Sequence, residues 1–114
     1  MRVEVTLVVF QHPEPARWGT YASYCPATKD YCSRGNTVKD VITMAEKLLL
    51  DELKGRLKYN SLKKCGWEVS ENSAIPPIFV NEYAIQETER IFEMSIKEPI
   101  IIKVDVELPT AKSV

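Results

Sequence analysis

Three cysteines, one histidine and two charged clusters are the groups in this chain with chemistry to offer. Cys25, Cys32 and Cys65 are soft ligands or redox partners in principle, and His12 is the only imidazole available to join them. Structural zinc sites pair their ligands about two to four residues apart and close a tetrahedral set. Cys25 and Cys32 are too far apart for that pattern and Cys65 stands alone. An odd cysteine count also fits a reducing compartment better than a disulfide framework. The thiols are therefore read as buried and inert, with no metal and no cofactor expected. His12 lies between Gln11 and Pro13 with no Ser, Cys or carboxylate set beside it, so it is expected to be an exposed loop residue. Lys54, Arg56, Lys58, Lys63 and Lys64, with Tyr59 among them, have the make-up of a strip that touches phosphates and stacks a base. Lysines near a helix C-terminus also suit its dipole, and a solvated cationic face is the reading adopted. Downstream, Glu82, Glu87, Glu89 and Glu93 gather on one short segment, an acidic surface suited to a basic protein partner. No P-loop, Gly-rich dinucleotide turn, nucleophile elbow or metal-binding helix pair occurs.

The elements that must position these groups fit one domain of 114 residues. Hydrophobic residues make up 45% and charged residues 27%, ordinary values for a globular protein with a real core. The formal net charge is −1, which gives no whole-chain reason to expect nucleic acid or an anionic membrane. Residues 1–65 hold 11 basic and 7 acidic side chains, whereas residues 66–114 hold 4 basic and 9 acidic ones. No apolar run reaches the ~20 residues of a membrane helix, and the alternating N-terminus lacks a signal-peptide centre. A cytoplasmic location follows as an expectation.

Val3, Val5, Leu7 and Val9 alternate with polar residues over 2–10, which predicts a strand with one wetter side. Pro13 and Pro15 should end it, since proline has no N–H for a central ladder. Aromatic and small residues predict a second strand over Trp18–Cys25, stopped by Pro26, and a short third near Tyr31–Arg34. Gly35 and Asn36 make the turn into a helix whose N-cap is Thr37, with Asp40 three residues on. Val38, Val41, Ile42, Ala45, Leu48, Leu49 and Leu53 form its apolar stripe to about Lys54, where Gly55 is placed to end it. The passage from Gly66 to Phe79 should be irregular, anchored by Trp67, Ile75, Ile78 and Phe79. Asn81 is read as the N-cap of a second helix with Ala84, Ile85, Thr88, Ile91 and Phe92 inward and Glu82, Glu87, Glu89 and Arg90 outward. A last strand covers Pro99–Leu108. The expected class is α+β, a small antiparallel-rich sheet in the order β-β-β-α-α-β with both helices on one face. The domain would span 1–108, with an inserted loop and second helix at 55–98 and a tail at 109–114.

The stretch Trp18–Leu53 also carries a resemblance. An aromatic five residues before a Pro, a short return ending in Cys, a Gly-x-Thr helix start and an amphipathic helix are similar to the core of the HicB antitoxins. Tyr21, Pro26, Cys32, Gly35 and Thr37 stand at matching places, and the likeness covers residues 2–54. Ser23, Tyr31 and Asp40-Val41 depart from the usual Ala, Gly and Glu-Ala, and the turn from Pro26 to Cys32 is longer than usual. The resemblance implies a partial ribonuclease H-like fold and the occlusion of a HicA-type toxin, a small RNA-cleaving protein that uses a histidine and no metal. A ribonuclease H-like fold directs attention to carboxylates, because metal-dependent nucleases need several that converge. Glu4, Asp40 or Glu46, and Asp105 are the candidates. They fall on polar faces, so no catalysis is expected. Many HicB proteins add a C-terminal DNA-binding segment, whereas only Pro109–Val114 follow the last strand here, and no direct DNA binding is expected. The alternatives are a stand-alone HicB-like protein-binding or assembly module without a toxin, and a vestigial nuclease. A homodimer is expected, since the last strand leaves a sheet edge to protect.

Overall fold

The computed structural model of the protein describes residues 1–16 and 19–109. Four strands form one antiparallel sheet: β1 (Arg2–Ala16), β2 (Gly19–Cys25), β3 (Asp30–Gly35) and β6 (Ile100–Glu107), in the order β3-β2-β1-β6. Between β3 and β6 come α1 (Val38–Lys58), a 3₁₀ turn (Leu62–Cys65), the two-residue strands β4 (Glu68–Val69) and β5 (Ala74–Ile75), and α2 (Asn81–Phe92). Trp18 and residues 110–114 lie outside the described residues.

The pairings are staggered along β1. Arg2–Val9 pair with β6, while Val8–Gln11 and Ala16 pair with β2. Only the middle of β1 is flanked on both sides. The strand therefore does not stop before Pro13 as expected. Beyond Val9 it has a single neighbour, and the register shifts between Gln11 and Ala16. A missing N–H costs little on a strand with a free side.

Side-chain alternation on β1 divides the core in two. Val3, Val5, Leu7 and Val9 face α1 and pack with Val41, Ala45, Leu49, Leu53, Val104 and Val106. Val8 and Phe10 face the other way and pack with Ala22, Tyr24 and Ala84 of α2, along with Phe92. The ring of Phe92 meets Phe10 at 5.1 Å and Tyr24 at 6.0 Å, both edge-on. The helices thus lie on opposite faces of the sheet, which corrects the expectation of one shared face. The physical signal is the unbroken run Leu7-Val8-Val9-Phe10, since a strand apolar on both sides is covered on both.

Thr37 caps α1 as expected, its Oγ1 accepting from the Asp40 N–H at 3.1 Å. The helix does not end at Gly55. It continues to Lys58 and closes when the Ser61 N–H reaches the Arg56 carbonyl and the Asn60 N–H reaches that of Leu57. Asn60 has φ 55°, so an asparagine takes the left-handed position expected of a glycine. Leu48 is exposed rather than in the stripe; it stands about 100° round the helix from buried Leu49. Trp67 anchors the following segment as expected, buried and donating its indole N–H to the Ala27 carbonyl at 2.8 Å. Ile75 and Ile78 do not anchor it, for both are exposed. Residues Leu62, Trp67 and Ala74 still belong to the α1-side core, and Phe79 touches both cores. The chain therefore changes sides of the sheet between Ala74 and Ala84. Val80, not Asn81, holds the N-cap position of α2, and no side chain caps that end.

Candidate protein-binding surface

The residues that resemble the HicB pattern build the hairpin and the entry to α1. Pro26 is buried in the β2–β3 turn and Tyr21 is half-buried against the α1-side core. Gly35 is required by close packing, since a Cβ there would stand 3.0 Å from the Asp40 Cβ and 3.3 Å from Val41. Gly19, at φ 134°, lies so near Gly35 that a Cβ would meet its backbone at 2.4 Å. Ser23 at the centre of β2 shares a hydrogen bond with Ser33 at 2.7 Å, and the Ser33 hydroxyl donates to the Val41 carbonyl. Sheet and helix are thereby tied by a buried polar chain. The side chain of Cys32 lies outside the described residues.

The candidate nuclease carboxylates are not brought together. Glu4 and Asp105 are cross-strand partners on the α2 side of the sheet, and Asp105 is held by Arg2 at 2.5 Å. Asp40 and Glu46 are exposed on α1, across the sheet from them. Among the described residues no three metal-ligating side chains cluster.

Cys25 is free and fully buried, and burial pushes its thiol above its ordinary range. Cys65 is free and half-buried, 3.2 Å from the Arg56 guanidinium. Arg56 also holds Glu52 at 2.9 Å and Asp30 at 3.8 Å, so the basic run loses its one arginine to an internal cluster. Burial and the hydrogen bond shared with Asp30 raise the Glu52 carboxyl above its usual value. Lys54, Lys58, Lys63 and Lys64 stay exposed, with the Lys58 ammonium 5.6 Å from the ring of exposed Tyr59. His12 is a half-buried residue of β1, not the exposed loop residue expected.

The acidic set on α2 is split. Glu82 and Glu93 are exposed, but Glu89 is half-buried and accepts the Ile96 N–H at 2.9 Å. Glu87 is buried, with Ala84 and Thr88, on the face that meets the sheet, its Oε1 3.8 Å from Arg90. The expected outward row of four glutamates is thus reduced to two. Burial, with the nearby Glu87 charge, raises the Tyr24 hydroxyl well above its ordinary value.

One exposed apolar surface stands outside every site expected from the sequence. Where the chain crosses from one face to the other, Ile75 is 52% exposed, Ile78 95%, Val80 68% and Tyr83 51%. Pro76-Pro77 favour extended backbone and withhold two N–H donors, so the chain from Pro76 to Val80 joins no ladder and leaves Ile78 and Val80 outward. Phe79 stacks on Tyr83 at 5.8 Å and stiffens the base of this passage. Exposed Glu71 precedes it in sequence and exposed Glu82 lies within it, beside Tyr83. The available signal was an apolar run around two prolines, with neither helical nor strand periodicity. No family model, curated protein or solved structure matches the chain.

Proposed function

We propose that this protein binds another protein and acts by covering that partner's working surface, as the HicB antitoxins do. The observation that carries the reading is the run of exposed apolar residues within Ile75–Tyr83, with exposed glutamates close to it in sequence. Exposed apolar groups gathered at one place, with a polar surround, mark protein–protein contacts. Residues 66–114 carry 9 acidic and 4 basic side chains, and Glu68, Glu71, Glu82, Glu93 and Glu98 are exposed. A toxin that grips RNA must be basic where it does so, because phosphate contacts dominate that affinity. An acidic surface with an apolar centre competes for such a face. The HicB-like hairpin and capped helix supply the scaffold, and a HicA-type toxin is the partner class. The division of Glu4 and Asp105 from Asp40 and Glu46 argues against the vestigial nuclease.

One observation favours the stand-alone module instead. The passage lies outside residues 2–54, which carry the resemblance, so its partner need not be a toxin. Co-expression with the product of a short reading frame beside this gene separates the two, and the absence of such a frame leaves the stand-alone module. The antitoxin reading predicts that the neighbour arrests growth and that this protein restores it. A harmless neighbour, or a toxic one that is not rescued, leaves the stand-alone module.

A further inference from the structure

We propose that two copies of this chain pair antiparallel along β6 about a two-fold axis at Val104, joining their two sheets into one. This inference does not rest on the antitoxin reading. Among the described residues β6 has β1 as its only strand neighbour, and it pairs with β1 from Ile100 to Glu107 without a register shift. It contains no proline and no bulge, so its outer side offers a regular row of unpaired N–H and C=O groups. The opposite edge, β3, is shorter, and its pairing with β2 is broken by a shift between Ser23 and Tyr24. A bulged edge is a poor template for another strand. The regular edge is β6.

The charges on β6 select the register. Every second residue of an edge strand turns its backbone groups away from its own sheet. Two copies of β6 can hydrogen-bond only where such residues meet, which requires the two-fold to pass through a residue. Centred on Lys103, two lysines would stand opposite each other; centred on Asp105, two aspartates would. Like charges directly opposite are destabilising. Centred on Ile102, Lys103 would face an isoleucine and Asp105 would face Pro99, which has no N–H to give. Centred on Val104, Lys103 of each copy faces Asp105 of the other, Ile102 faces Val106, and Ile100 faces Leu108. Lys103 and Asp105 are both exposed and lie on the same side of the sheet. Asp105 would then stand between its own Arg2, at 2.5 Å, and the lysine of the second copy. On the α1 side, Ile100 is 39% exposed and Ile102 half-buried, apolar surface that a second copy would cover.

Sedimentation equilibrium with charge exchange tests this register. Wild-type protein is expected to be a dimer, and Lys103→Asp and Asp105→Lys are each expected to weaken it at least about tenfold. Mixed in equal amounts, the two variants should form a heterodimer of wild-type strength, because each now faces its opposite charge. A wild type that stays monomeric up to about 0.5 mM overturns the proposal. So does a mixture no tighter than either variant alone. Should a single variant fail to fold, as judged by circular dichroism, the double Lys103→Asp/Asp105→Lys variant decides. It restores the pair in reversed order, so its dimer supports the register and its monomer refutes it.

Discussion

At the scale of single residues, the Tyr24 hydroxyl and Glu87 Oε2 are buried with no hydrogen-bond partner among the described residues. A buried hydroxyl without a partner keeps its desolvation cost, so Tyr24→Phe should stabilise the protein by about 1 kcal/mol in urea melts at neutral pH. The same group sets an alkaline limit. Its folded pKa is raised, so above about pH 10 the unfolded chain loses this proton first and stability falls as pH rises. Cys25 acts with the same sign from about pH 8.5, because burial raises its thiol too. Tyr24→Phe should therefore flatten the melt-derived stability above about pH 10 while leaving the earlier decline in place. Gly55 offers a second residue test. It lies inside α1 with nothing within 4 Å of where a Cβ would stand. Gly55→Ala should stabilise by about 0.5–1 kcal/mol, and a loss in thermal melts would contradict the helix's course through that position.

At the scale of elements, α1 was legible because three signals agree: Thr37 as cap, Asp40 in the first turn, and an apolar stripe. The stripe's edge was not legible in Leu48-Leu49-Leu50, since three adjacent leucines cover much of the helix and only packing decides which are inside. Leu49→Asp should cost at least about 3 kcal/mol, whereas Leu48→Asp should change stability by less than about 1 kcal/mol. Equal shifts in their urea midpoints would contradict the face assigned to α1. The placement of α2 was harder to read. Ala84, Thr88 and Phe92 face the sheet as expected, but Glu87 is buried beside them and Ile91 is 45% exposed, so hydrophobicity alone misplaces the edge of the face. Thr88 belongs there because its hydroxyl donates to the Ala84 carbonyl at 2.7 Å. The candidate surface was hidden for a related reason. Ile75 and Ile78 read as core by composition, and only the crossing between two faces of the sheet leaves them outside.

At the scale of the whole molecule, a sheet covered by one helix on each side ties the acidic later part of the chain to an apolar passage around its flank. On the antitoxin proposal, this passage covers the RNA-cleaving face of a toxin partner. The most direct test is an RNA-cleavage reaction run with the purified product of the neighbouring reading frame and titrated with this protein. The wild type is expected to stop cleavage at about one chain per toxin. An Ile78→Asp/Val80→Asp variant, folded to the same melting temperature, should need at least about tenfold more, because buried apolar anchors dominate such contacts. Cleavage that continues in the presence of excess wild-type protein, or RNA cut by this protein alone, would contradict the account.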